Sequence, residues 1–427
     1  MENELAHAVS RLAFQLAVIL LAAKIGGEIS ERVLKQPGVL GELVAGILIG
    51  PYALGALPLP YLGALFPAPR GDQMIPISTE LYALAQIAAV ILLFVAGLET
   101  DFQQFFRYGG PAAVVGVGGV VAPFALGVMV TLLFGVASSP LDPVALFVGA
   151  VLTATSVGIT ARVLSDIHRL DTPEGVTILA AAVIDDVLGI LVLTIVVSMG
   201  VEGNVSLGNL LLVGGKALGF WLALMGLGVV LGPHIARAFS LFQIQGGSLG
   251  LAVALAFFSA ALAESFGLAM IIGAYSIGLA LSNTSLAETL EEPLRAVYHA
   301  FVPIFFVVMG MLVNVAAMAD VLVFGLVVSL LAIIGKVGGC GLSALSVGFN
   351  RRGAWRIGIG MLPRGEVALI VAGVGLTAGV IESDVFGVAI MMTVITTLLA
   401  PVLLVPAFRR GGSGRRKVEV PVGGRAS

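Results

Sequence analysis

The chain has 427 residues, 59% of them hydrophobic and only 11% charged, with a mean hydropathy of +1.09, whereas a soluble globular chain carries about 25% charged residues. It reads as an all-α polytopic membrane protein, for which the formal net charge of −3 says less than the distribution of charge among loops. Cys340 is the only cysteine, which excludes an intrachain disulfide or a cysteine-based metal site, and His7, His168, His234 and His299 fall near expected segment ends, so no metal cluster is expected.

Apolar runs separated by Gly, Pro or charge predict about thirteen transmembrane helices, at 8–24, 38–57, 80–98, 109–134, 142–163, 174–199, 208–231, 247–264, 266–282, 297–315, 320–347, 355–378 and 384–408. The opening Met1-Glu2-Asn3-Glu4 is acidic and no cleavage site follows the first run, which is read as a retained helix. The stretch from Leu249 to Leu281 is too long for one span and is split at Glu264-Ser265-Phe266-Gly267. Lys and Arg then collect on one side, at Arg32, Lys35, Arg107, Arg162, Arg169, Arg237, Arg295, Arg351, Arg352, Arg356, Arg409, Arg410, Arg415, Arg416 and Lys417, against little beyond Arg11 and Arg70 on the other. The positive-inside rule therefore predicts a cytoplasmic C-terminus and, with an odd number of spans, an external N-terminus. Glu99, Asp101 and Arg107 read as a solvated interfacial loop.

The fifth segment contains the hydroxyl-rich Thr153-Ala154-Thr155-Ser156-Val157-Gly158-Ile159-Thr160 at mid-depth, and the twelfth contains Met361-Leu362-Pro363-Arg364-Gly365-Glu366. Both predict interrupted helices. Seven segments apart, they run in opposite directions and match in an inverted six-plus-six repeat joined by the seventh span, the arrangement that marks a transporter's midplane site. The sixth segment carries Asp185-Asp186 inside an apolar run from Val176 to Met199. Each Asp costs roughly 2.5–3.5 kcal/mol at a helix centre, so two neighbours imply use rather than structure alone. Successive helical residues point about 100° apart, so the two carboxylates should divide their tasks. Lys336, near the middle of the eleventh segment, is too deep to snorkel and needs one of the two as counterion.

These residues resemble the monovalent cation:proton antiporter superfamily, in its NapA-like bacterial sodium/proton exchanger branch. The resemblance rests on 36–51 from Gln36 to Pro51, Leu92 to Glu99, Thr155 to Leu164, Ala182 to Gly189, Phe305 to Met311, Lys336 and Pro363 to Val367. It implies an antiporter fold with two crossing broken helices. Residues 1–98 and 247–315 would form a dimerisation domain, 109–199 and 320–408 an ion-carrying core, 208–231 a linker helix, and 409–427 a cytoplasmic tail. It further implies Na⁺ or Li⁺ exchange for H⁺ by elevator-type alternating access, electrogenic because both Asp positions are acidic, in a homodimer in the bacterial inner membrane. Asp186 would be the main cation and proton carrier, Asp185 would pair with Lys336 when no cation is bound, and Arg364 and Glu366 would balance the broken-helix dipoles. Potassium-efflux relatives carry a large nucleotide-binding domain after the last helix, where this chain has a short Gly- and Arg-rich tail.

A dehydrated Na⁺ wants hard oxygens, which Asp186, Asp185, Thr155 or Ser156 hydroxyls and freed carbonyls could supply, and protons compete for the same atoms. Blander roles exist: Lys336 as a structural tie, and the hydroxyls back-bonded to their own helix. Cys340 and Met391-Met392 read as packing. A K⁺/H⁺ antiporter of the same fold is the near alternative. A passive channel would need a selectivity filter that the sequence does not suggest, and an intramembrane aspartyl protease would need its carboxylates on separate helices. No enzyme activity, cofactor or nucleic-acid partner is expected.

Overall fold

In a lipid interior the backbone must satisfy its own polar groups, so apolar runs of this length become helices. A computed structural model describes residues 2–59, 63–69, 75–197, 199, 207–242, 244, 246–315, 318, 321–377 and 379–416. These form fifteen α-helices: α1 (Glu2–Ile29), α2 (Gly38–Ile49), α3 (Thr79–Leu98), α4 (Phe102–Leu133), α5 (Pro143–Thr153), α6 (Val157–Asp166), α7 (Pro173–Val197), α8 (Leu207–Ser240), α9 (Gly247–Ser265), α10 (Met270–Leu281), α11 (Ser285–Met311), α12 (Leu322–Ser346), α13 (Arg351–Gly360), α14 (Glu366–Thr377) and α15 (Ser383–Arg409). A small hairpin, Pro58–Leu59 with Gly63–Ala64, lies between α2 and α3.

Eleven segments of the described residues are long and apolar enough to cross a membrane, while Met270–Leu281 and Val367–Leu376 are apolar but shorter. The expected fifth span is the pair α5 and α6, and the expected twelfth is α13 and α14. Helix ends differ from expectation where charge was taken for a boundary. Helix α4 starts at Phe102, not 109, because Asp101 caps it by accepting from the Gln104 N–H at 2.9 Å. Arg107 is therefore helical rather than part of a loop. Helix α11 starts at Ser285, not 297, and its early charges stay exposed, with Arg295 paired to Glu291 one turn back at 2.7 Å.

Two sets of helices pack together. One contains α4, α5, α7, α12, α13, α14 and α15; the other contains α1, α2, α3, α9, α10 and α11. Helix α6 contacts α7 and α15 of the first set and α2 and α3 of the second. Glycine permits the closest approaches: a Cβ on Gly339 of α12 would collide with the Gly118 carbonyl of α4. That proximity brings Lys336, one turn before Gly339, against α4.

Candidate functional site

The two breaks meet. Helix α5 ends at Thr153, and Ala154-Thr155-Ser156 run non-helically before α6. Helix α13 ends at Gly360, and Pro363, which has no N–H and disfavours helix at Leu362 before it, lies in the gap that precedes α14. Backbone groups freed by one break are satisfied by the other: the Ser156 N–H donates to the Pro363 carbonyl at 2.8 Å. The Thr160 hydroxyl donates to the Gly360 carbonyl at 2.6 Å, and that of Thr155 to Met361 at 3.4 Å.

Cations face the open carbonyl end of α5. Arg364 is fully buried and donates to the Leu152 carbonyl at 2.6 Å and to Leu362 at 3.2 Å. The Lys336 ammonium donates to the Thr153 carbonyl at 2.7 Å. A helix C-terminus carries about half a negative charge, so both contacts are favourable where lipid excludes water.

Lys336 also takes Asp185, at 2.8 Å to Oδ1 and 3.0 Å to Oδ2. Its remaining partner is the Gly119 carbonyl of α4 at 2.8 Å. That carbonyl is free for a structural reason. In an α-helix it would accept from residue 123, which is Pro123 and has no N–H to give. The Thr155 hydroxyl lies near the same Asp185 carboxylate, its own hydrogen bond going to Met361. Asp186 and Asp185, with Thr153 and Ala154, line a cavity of about 410 Å³. Tyr82, Gln86, Glu264 and Met270 line the same cavity. A second cavity, of about 700 Å³, holds Glu99, Asp166, His168, Glu291, Tyr298 and His299. Tyr82 and Glu99 stand near opposite ends of α3, so the two cavities enter from opposite ends of the molecule.

Asp185, Asp186, Thr155, Lys336 and Arg364 are thus brought to one place. Ser156 is not equivalent to Thr155: its hydroxyl is buried with no hydrogen-bond partner and sits against Gly365. The Glu366 side chain lies outside the described residues. Three features were not anticipated. Thr153 and Gly119 serve Lys336 through backbone carbonyls, the latter signalled only by a proline in mid-helix. Arg162, counted as a loop charge, is buried on α6 beside Asp166 at 3.0 Å, Glu42 of α2 at 3.9 Å and the Tyr298 ring of α11. Glu42, an acid inside an apolar run, was the available signal. Arg356 of α13 pairs with buried Glu174 of α7 at 2.6 Å.

The profile of the transmembrane sodium/hydrogen exchanger family matches residues 17–410. The high-affinity Na⁺/H⁺ antiporter NhaS3 of Synechocystis sp. is 36% identical, over 98% of this chain and 94% of its own. The Na⁺/H⁺-K⁺ antiporter GerN of Bacillus cereus is 34% identical, over 92% of this chain and 95% of its own. Among solved structures, the sodium proton antiporter MjNhaP1 of Methanocaldococcus jannaschii superposes with a TM-score of 0.65 over 94% of this chain and 99% of its own. At 18% identity that likeness speaks to the fold alone.

Proposed function

This chain belongs to the transmembrane sodium/hydrogen exchanger family, and we propose that it exchanges Na⁺ for H⁺, with Asp186 and Asp185 as the carriers. The observation that carries the reading is a pair of adjacent buried acids on one cavity wall: Asp185 is held by Lys336 at 2.8 Å, and both Asp185 and Asp186 line a cavity that enters from one end of the molecule. An entering cation meets both carboxylates from this cavity. As Na⁺ sheds water it draws on Asp186, the Asp185 carboxylate and the Thr155 hydroxyl as hard oxygen ligands, in competition with Lys336. Protons compete for the same carboxylates. Either cargo neutralises the site, and only a neutralised site crosses a low-dielectric barrier cheaply. In this reading the pair of acidic positions makes the exchange electrogenic.

Residues 109–199 and 320–408 would be the moving core, and 1–98 with 247–315 the dimerisation frame. Arginine-rich ends define the cytoplasmic side, so the Asp186 cavity faces outward in a bacterial inner membrane with the C-terminus inside. A K⁺-carrying variant of the same reaction is the second reading, supported by the name of the relative GerN. Both are tested by cation-specific dequenching of a pH-sensitive dye in proteoliposomes with Na⁺, Li⁺ or K⁺. Na⁺-driven proton movement that disappears in Asp186→Asn is the expected result; wild-type rates in that variant would remove the assignment.

A further inference from the structure

Four arginines crowd one surface where two helix ends meet. Arg351 and Arg352 open α13, and Arg409 and Arg410 lie at the end of α15. Between them is a cavity of about 410 Å³ lined by Arg351, Arg352, Trp355, Ala407 and Arg410. Arg356, one turn further along α13, has its charge answered: it is buried, pairs with Glu174, and donates to the carbonyls of Ala407, Gly411 and Gly412. Arg351, Arg352 and Arg410 form no ion pair with any acid among the described residues. Like charges held together without a counterion make a site for an anion.

The surface beside the cavity narrows the kind of anion. Trp355, four residues after Arg351, is 50% exposed. On α15, Val402 and Pro406 are exposed, eight and four residues before Arg410. A four-residue spacing keeps side chains on one helix face. Helix α15 thus presents exposed apolar side chains leading to Arg410, and α13 an exposed tryptophan, a residue that membrane proteins favour at the lipid–water boundary, one turn from Arg351. A free anion would have no use for the apolar side chains, whereas a lipid needs both.

We propose that the groove between the start of α13 and the end of α15 binds the headgroup of an anionic phospholipid. Its phosphodiester would lie against Arg351, Arg352 and Arg410, and its acyl chains along Trp355, Pro406 and Val402. The site requires only that the chain sit in a bilayer. It does not depend on the exchange reaction, and its test reads binding rather than transport.

The test is native mass spectrometry of the full chain in a neutral detergent, titrated with dioleoylphosphatidylglycerol or dioleoylphosphatidylcholine. The wild type should retain the glycerol lipid in preference to the choline lipid. The triple variant Arg351→Gln, Arg352→Gln, Arg410→Gln should bind it on the order of 100-fold more weakly. Arg107→Gln, which removes an exposed arginine elsewhere on the surface, should bind as the wild type does. If the triple variant does not keep the wild-type melting temperature, Arg410→Gln alone should still weaken retention several-fold. Equal retention of both lipids, or equal loss in Arg107→Gln, would overturn the proposal. So would displacement of the lipid by an equal concentration of inorganic phosphate, which would mark a site for a free anion.

Discussion

Lys336 has four oxygens within hydrogen-bonding distance: both from Asp185 and the carbonyls of Gly119 and Thr153. Its value to the fold follows from what its loss leaves behind. Lys336→Ala would strand a buried carboxylate and two carbonyls, and removing one partner of a buried pair costs about 3–5 kcal/mol. The expected result is a lower melting temperature in detergent, with a large part regained in Lys336→Ala/Asp185→Asn. Strict additivity of the two substitutions would argue against the pairing. The hydroxyls of the first break separate in the same way. Thr155→Val should raise the KM for Na⁺ by about tenfold, the size of one polar contact to a charged group, since Thr155 lies beside Asp185. Ser156→Ala should leave the KM near the wild-type value, because that hydroxyl makes no hydrogen bond.

At the scale of an element, α5 is held at both ends by charge. Asp142 caps its start: the Ser138 N–H donates to it at 3.0 Å and the Val144 N–H at 3.1 Å. The Ser138 bond, with that from Val144, holds the Asp142 carboxyl below its usual range. A lowered folded-state value means stability that is present above the ordinary carboxylate range and lost as pH falls through the folded value. Asp142→Ala should therefore cost about 1 kcal/mol near neutral pH, and the gap to wild type should close as acid protonates the cap. Thermal unfolding across a pH series reads this directly. The other end of α5 opens onto the second break, where contact leaves no spare volume. A Cβ on Gly365 would stand 2.9 Å from the Ser156 Cβ. Gly365→Ala should destabilise by about 1–3 kcal/mol through overpacking, and Ser156→Gly in the same chain should relieve it.

At the scale of the whole molecule, two cavities approach the middle from opposite ends, and only the one of about 410 Å³ reaches Asp186. Between the other cavity and the breaks, Arg162 of α6 bridges towards Glu42 of α2 and Tyr298 of α11. Alternating access would have to part those contacts, since α6 lies against both helix sets. Access can be read with thiols, because Cys340 is buried and can be replaced by alanine. In whole cells, Leu193→Cys on the first cavity should react with a membrane-impermeant maleimide, and Na⁺ should slow it. Ser165→Cys on the second cavity should react only in everted vesicles. The reverse pattern would place the cavities on the opposite sides of the membrane.

Much of this protein was legible locally. Apolar runs set the helices because lipid offers the backbone no other partner. A proline between Leu362 and Arg364, hydroxyls in place of apolar residues at Thr153–Thr160, and two acids in mid-helix mark breaks and site on their own segments. Adjacent acids had to diverge, because the helical step is fixed at 100°. Which acid would take Lys336 was not contained in that step, since the rotation of α7 against α12 is set by packing, such as Gly339 against Gly118. The same holds for the capture of the Gly119 carbonyl by Lys336, the differing fates of Thr155 and Ser156, and Arg162 buried between helix sets. Each joins groups far apart in the chain, and only tertiary structure decides which unsatisfied group meets which partner.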